Sequence, residues 1–200
     1  FIGGITLSSY FMYSYVSDKN LASLPFDSFN EISLLLSVYT SSFEFWVIAG
    51  LFLIAAIVKS AQFPFYTWLQ DAMEAHIPVS ALLHSATMVV AGIYLTIRLL
   101  PIFTLNQGIM TIFISIGILT AVICSILASI ETHPKKILAY STSANLGLMF
   151  LALGLENVKA ALIFLIAHAF IKSMLFLQLP NRENQISHAG FFMFLVGALS

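Results

Sequence analysis

The sequence predicts an all-α, polytopic transmembrane helix bundle in which one helix is broken by a proline. Of its 200 residues, 60% are hydrophobic and 8% are charged, and the mean hydropathy is +0.97. A water-facing domain does not tolerate so much apolar surface, so the chain must be embedded in lipid. Apolar runs long enough to cross the ~30 Å hydrocarbon layer recur along the chain, and Pro64 stands inside the longest of them.

The apolar runs organise the chain as a single transmembrane domain fragment, 1–200. The predicted spans are 1–16, 43–73 (broken at Pro64), 79–100, 108–130, 137–155, 160–179 and a partial span at 189–200. Pro101 follows the third span and is expected to end it, because proline disfavours helix in the residue before it. The final run is too short to cross a bilayer. The chain is therefore expected to be a cut-out of a longer protein or one piece of a split one.

The second span is too long for one continuous helix. Residues 43–73 would reach roughly 46 Å at ~1.5 Å per residue, whereas Pro64 lacks a backbone donor and interrupts the helix. Such breaks are tolerated where protein or water satisfies the freed backbone groups, and Ser60 and Gln62 are nearby candidates. Lys59 would then lie in the last turn of the first half, where the helix dipole favours its charge and burial opposes it. Lys59 either exchanges protons or extends to the lipid headgroups.

The third span carries a histidine near its start. Ser80, His84 and Thr87 follow one another at three- and four-residue spacing and would share one face of an α-helix. A polar stripe in a membrane helix either binds a neighbouring helix or lines a hydrated path. Both readings of His84 stay open at this point.

The sixth span carries two ionisable residues on one face. His168 and Lys172 are four residues apart, and Lys172 is roughly 18 Å from the helix start, near the middle of the bilayer. An ionisable residue at that depth costs a few kcal/mol or more and normally faces the bundle interior or water. Together with Lys59 and His84, these residues are of the types that a proton relay needs, because neutral lysine and histidine can each accept a proton and pass it on.

Several other classes of protein are excluded. The single cysteine, Cys124, provides neither a disulfide framework nor an iron–sulfur ligand set. A formal net charge of −1 argues against a nucleic-acid partner. The sequence has no phosphate-binding glycine loop, zinc-protease motif or nucleophile elbow, and its membrane histidines lack a companion set of metal ligands. We therefore expect no metal or cofactor in this chain.

Three stretches resemble one membrane-protein family. The run KSAQFPFYTWLQDAMEAHIPVSALLHSATMVVAGIYLTIR is similar to the central block of subunit 5 of NADH dehydrogenase, the antiporter-like membrane subunit of respiratory complex I. KKILAYSTSANLGLMFLALG and HAFIKSMLF resemble the next two blocks in the same order. The resemblance covers about 55–200, and the run PVSALLHSATMV distinguishes this family from its siblings, subunits 2 and 4. It implies that the six spans are the sixth to eleventh helices and that the partial span begins the twelfth.

The resemblance also implies roles for the candidate residues. Lys59 matches the lysine of the first broken helix, the central proton-input group, and His84 matches the histidine thought to link the input and output halves. His168 and Lys172 match the histidine and lysine of the eleventh helix, on the central polar axis. The implied function is proton translocation in NADH:ubiquinone oxidoreductase, with no redox catalysis in this chain and with FMN and iron–sulfur clusters in other subunits.

The implied surroundings follow from the same resemblance. Partners would be other membrane-arm subunits, especially antiporter-like subunit 4, another chain supplying further helices, and membrane lipids. The location would be the mitochondrial inner membrane, or the plasma membrane in a bacterium. Two alternatives stay open, namely a subunit of an Mrp-type cation/proton antiporter and a structural membrane-arm subunit without a complete channel of its own.

The chain departs from the family pattern at several positions. The glutamate that modulates the Lys59 position lies on an earlier helix of the family, and the second broken helix lies beyond Ser200. Phe164 stands where the family often has another histidine, His133 replaces an acidic residue, and Val58 replaces a glycine. The loss of a histidine at Phe164 favours the structural alternative slightly, whereas the presence of both lysines counts against it.

Overall fold

The computed structural model describes residues 43–74 and 83–178, and the regular structure within these ranges is helical. The α-helices are α1 (Phe43–Lys59), α2 (Thr67–Asp71), α3 (Val90–Phe103), α4 (Gln107–Ile130), α5 (Pro134–Gly154) and α6 (Val158–Leu177). A 3-10 turn, Ala72–Glu74, follows α2, and a π-helical turn, Leu83–Thr87, precedes α3. The predicted spans 1–16 and 189–200 lie outside the described residues. The all-α, membrane-type architecture expected from the sequence is confirmed.

Among the residues that the structure describes, three helices are long and apolar enough to cross a membrane: α4, α5 and α6. Local sequence explains where they begin. The side chain of Asn106 accepts a hydrogen bond from Gly108 N at 2.9 Å and caps α4, and Asn157 accepts one from Ala160 N at 3.1 Å and caps α6. Pro134 occupies the start of α5, where its missing N–H removes no helical hydrogen bond. The helix starts are therefore determined by their own residues.

Glycines allow α4 and α5 to approach closely. A Cβ added to Gly117 would lie 2.7 Å from the carbonyl oxygen of Gly147, and a Cβ added to Gly147 would lie 2.8 Å from the carbonyl oxygen of Gly117. Small residues at a helix contact let the two backbones pack directly in a membrane. Aromatic packing beside them joins Phe103, Phe113 and Phe150, whose successive ring centroids are 5.0 and 5.4 Å apart.

The third predicted span differs from the expectation in two ways. The prediction that Pro101 ends the helix is wrong, because α3 includes Pro101 and runs on to Phe103. Pro101 lies in the last turn, where the helix continues with Leu100 accepting from Thr104 N at 2.9 Å. A proline so close to the end removes little helical bonding beyond its own N–H. The span is also not one regular helix, since the π-helical turn that contains His84 precedes α3.

Candidate functional site

The proline break separates α1 from α2. α1 ends at Lys59, and α2 begins at Thr67. Ala61 has φ of +50°, in the left-handed region that commonly ends a helix, and the Phe63–Pro64 peptide bond is cis. Lys59 thus occupies the last turn of α1 and is half-buried, where the negative end of the helix dipole favours a positive charge.

Protein groups satisfy the backbone at this break. The N–H of Phe63 donates to Thr120 Oγ1 on α4 at 3.0 Å, and the indole Nε1 of Trp68 donates to the carbonyl oxygen of Val58 at 3.0 Å. Thr120 is itself fully buried. Side chains from α4 and α2 thereby replace the hydrogen bonds that the interrupted helix cannot make, which is the condition for an irregular segment at membrane depth.

The polar residues predicted to assist the break bond locally. Ser60 Oγ donates to the carbonyl oxygen of Ala56 at 2.5 Å, and Gln62 Nε2 donates to the carbonyl oxygen of Ser60 at 2.9 Å. Both side chains are fully buried. Their hydrogen bonds remain within the end of α1 and the following turn, so they stabilise the break rather than link it to another helix.

Lys172 lies in the interior between α5 and α6. Its side chain is 1% exposed. Its Nζ donates to Ser141 Oγ at 2.8 Å and to the carbonyl oxygen of Leu138 at 3.4 Å, and both acceptors belong to α5. A buried amine needs such partners, because an uncompensated charge is costly in a low-dielectric interior. These two acceptors are neutral oxygens.

His168 lies one helical turn before Lys172 on α6. It is 2% exposed, and the amide Nδ2 of Asn145 on α5 donates to His168 Nδ1 at 3.3 Å. The two helices run antiparallel, so the step from 168 to 172 is matched by the step from 145 to 141. Two polar side-chain pairs therefore link α5 and α6 one helical turn apart: Lys172 with Ser141, and His168 with Asn145.

His84 packs against the same face of α6. Its ring stacks on Phe176 with the centroids 5.7 Å apart and the planes at 25°, and the side chain is 1% exposed. His168, Lys172 and Phe176 follow one another at four-residue spacing on α6, so His84 lies against the same face as the other two ionisable residues. Neither ring nitrogen of His84, nor Nε2 of His168, has a hydrogen-bond partner among the described residues.

The structure thus brings three of the four predicted residues into one buried cluster, His84, His168 and Lys172. Lys59 lies at the break, at the end of α1 and beside α3. The prediction that Ser80, His84 and Thr87 share one helix face can be checked only for the last two, since Ser80 lies outside the described residues. Thr87 is exposed whereas His84 is buried, because the π-helical turn does not keep the spacing of an α-helix. Among the described residues, no group of three or more His, Cys, Asp or Glu is placed to hold a metal ion.

Sequence reasoning missed three residues that complete these sites. Ser141 and Asn145 are the α5 partners of the cluster, and Thr120 is the α4 partner of the break. The signal for the first two was available, since polar residues four apart in an apolar span indicate a helix–helix contact. Their partners could not be named, because the sequence does not state which helices are neighbours.

Comparison with known proteins gives consistent relatives. Residues 5–200 match the family model described as NADH:quinone oxidoreductase/Mrp antiporter, TM. The chain is 51% identical over 129 residues to the chloroplastic NAD(P)H-quinone oxidoreductase subunit 5 of Buxus microphylla, covering 64% of this chain and 18% of the relative. It is 48% identical over 152 residues to that of Lobularia maritima, covering 76% and 20%. The chain therefore spans about a fifth of the length of these curated relatives.

A solved structure shares the fold as well. A chain of the Mrp complex from Dietzia sp. superposes with a TM-score of 0.63 at 42% sequence identity, covering 70% of this chain and 16% of that chain. The relatives thus come from two kinds of membrane complex, one named for quinone oxidoreduction and one for Mrp.

Proposed function

This chain belongs to the NADH:quinone oxidoreductase/Mrp antiporter transmembrane family, and from that premise we propose that it is part of a proton-translocating membrane-arm subunit of NADH:quinone oxidoreductase. One observation carries the proposal. Lys172 is fully buried between two membrane helices and is held by neutral oxygens of Ser141 and Leu138. A buried lysine placed in this way can hold a proton and release it, whereas a purely apolar contact would pack better without it.

The neighbours of Lys172 give the proton a route. His168 lies one turn away on α6, and His84 lies against the same face. An imidazole can bind a proton at one nitrogen and release one from the other, so the two rings can receive and return the proton of Lys172. Lys59, at the end of α1, would exchange charge on the input side. In this proposal Lys59, His84, His168 and Lys172 form one relay.

The same proposal covers the cofactors, the partners and the location of the chain. This chain would hold no redox cofactor, and the FMN and iron–sulfur clusters of the complex would belong to other subunits. Its neighbours would be other membrane-arm subunits, in particular antiporter-like subunit 4, and helices from outside this chain would complete the channel. The mitochondrial inner membrane stays a prediction, since the curated relatives are named chloroplastic. What the comparisons support is a multi-pass membrane protein.

The direct test replaces Lys172 in the assembled complex. Lys172→Ala should leave assembly intact and lower the number of protons moved per electron, because the intramembrane proton holder is gone. The matched control is Lys159→Ala, on the same helix but exposed, and it should pump normally. A wild-type proton-to-electron ratio in assembled Lys172→Ala enzyme would contradict the relay and favour the structural alternative.

The second candidate function is cation/proton antiport, and the Mrp likeness favours it. An antiporter would exchange Na⁺ or K⁺ for protons without an electron donor. Native electrophoresis of gently solubilised membranes, stained for NADH oxidation and followed by mass spectrometry, separates the two. Peptides of this chain in a large NADH-active band support the oxidoreductase. Peptides only in a smaller inactive band, with sodium-driven proton movement in NADH-free vesicles, support the antiporter.

A further inference from the structure

Asn145 is a polar residue of α5 that has no role in the relay of Lys59, His84, His168 and Lys172. Asn145 lies on α5, opposite His168 of α6, one helical turn from the Ser141 partner of Lys172. Its amide Nδ2 donates to His168 Nδ1 at 3.3 Å. An amide has two N–H donors on one side and an acceptor oxygen on the other. Its orientation therefore decides whether the ring nitrogen opposite it accepts or donates a hydrogen bond.

The contact determines which nitrogen of His168 carries the proton. A nitrogen that accepts a hydrogen bond has its lone pair engaged and carries no hydrogen. Since Nδ1 accepts from Asn145, the proton of the neutral ring is on Nε2. The second nitrogen of a histidine is commonly controlled in this way by the partner of the first. His168 is 2% exposed, so bulk water does not compete strongly for Nδ1.

We propose that Asn145 is a positioning residue that holds His168 as the Nε2–H tautomer and thereby decides whether this ring donates or accepts a proton. In the observed arrangement the neutral ring presents N–H at Nε2, and its only lone pair, at Nδ1, is engaged by Asn145. The ring can therefore take up a proton only at Nδ1, after the amide N–H has moved away. The resulting imidazolium returns to the neutral state by releasing either the Nδ1 or the Nε2 proton.

The effect of Asn145 on proton movement rests on the proposed relay, whereas the tautomer of His168 can be measured whether or not the relay exists. Three substitutions separate the possible roles of the side chain. Asn145→Leu keeps similar bulk and removes the donor, and Asn145→Gln keeps an amide. Asn145→Asp offers only an acceptor and therefore requires a proton on Nδ1. The matched control is Ser143→Ala, which removes another buried polar group from α5.

The readout is the nitrogen NMR spectrum of the intact complex labelled with ¹⁵N-histidine, in which the His168 signals are those lost in His168→Gln. The wild type and Ser143→Ala should show an unprotonated Nδ1 and a protonated Nε2. Asn145→Leu should lose this single tautomer and give a mixture, and Asn145→Asp should shift the proton to Nδ1. Asn145→Gln should restore the wild-type spectrum. If Asn145→Asp fails to assemble, Asn145→Leu decides alone.

Proton pumping is measured on the same samples. We expect assembled Asn145→Asp to pump at least about tenfold more slowly, because a relay histidine in the wrong tautomer loses its function. A wild-type His168 protonated on Nδ1, or an unchanged tautomer in Asn145→Leu, overturns the assignment. Normal pumping by His168→Gln would instead contradict the relay while leaving the tautomer result intact, so the two failures can be told apart.

Discussion

The two lysine regions of this protein show two ways to keep an amine in a membrane. Lys59 is half-buried at the end of an interrupted helix, α1, where the helix dipole favours its charge. Lys172 is 1% exposed within a continuous helix, α6, and depends on side-chain and backbone oxygens of α5. The first region is built mainly by the backbone and the second by a helix–helix interface.

This difference explains why the two regions depend on different neighbours. The break needs Thr120 and Trp68. Thr120 accepts a hydrogen bond from the N–H of Phe63, and Trp68 donates one to the carbonyl oxygen of Val58, where the helix is interrupted. The Lys172 cluster needs Ser141 and Asn145, because a buried polar side chain without a partner is costly. Perturbing one set should therefore leave the other region largely unchanged.

The largest expected effect comes from reversing the buried charge. Lys172→Glu would set a carboxylate against the carbonyl oxygen of Leu138 and should cost about 4 kcal/mol, because burying an unpaired ion costs several kcal/mol. Lys59→Glu should lose about 1 kcal/mol of interaction with the helix dipole, and its half-buried position lowers the cost of placing a charge there. The yield of assembled complex on native gels measures the difference. Equal losses for both variants would show that burial does not distinguish the two regions.

The next effect should be confined to the Lys59 region. A Cβ on Gly92 would lie 2.7 Å from the carbonyl oxygen of Ala56 and 2.9 Å from Ser60 N. Gly92→Ala should therefore force α3 away from the end of α1 and cost about 3 kcal/mol, at the upper end for overpacking. The thermal midpoint of the assembled protein measures this cost.

Gly50 provides the control for that substitution. It lies on α1, and a Cβ there would meet nothing within 4 Å. Gly50→Ala should be neutral or stabilising by about 0.5–1 kcal/mol, because alanine is the better helix former. The His168 tautomer should be unchanged in both glycine variants, and an altered tautomer in Gly92→Ala would show that the two regions are coupled.

An effect smaller than that of Gly92→Ala should come from the acceptor on α4. Thr120→Val keeps the shape of the side chain but leaves Phe63 N without its hydrogen bond. An unsatisfied buried donor costs about 2 kcal/mol, so the thermal midpoint should fall while the yield of complex stays near normal. Thr120→Ser retains the hydroxyl and should recover most of the loss. No recovery with serine would indicate that the methyl group, rather than the hydrogen bond, stabilises the break.

Part of the fold could be predicted from local patterns alone. The apolar runs gave α4, α5 and α6 within a few residues of their observed ends, because span length follows from bilayer thickness. The third span was less predictable. The sequence did not indicate the π-helical turn around His84, and Pro101 was expected to end a helix that continues to Phe103. A proline in a last turn and a π-helical turn are tolerated when packing and local hydrogen bonds compensate.

The sequence by itself determined that this protein is embedded in lipid and is helical. It also determined the break near Pro64 and the candidate ionisable residues. Each of these depends on composition or on spacing along one chain segment. The tertiary structure alone decided that Lys172 is held by Ser141, that His168 faces Asn145 and that Thr120 completes the break. The members of these pairs are 31, 23 and 57 residues apart. Such partners are chosen by which helices pack together, and helix packing depends on the whole set of facing surfaces rather than on any one segment.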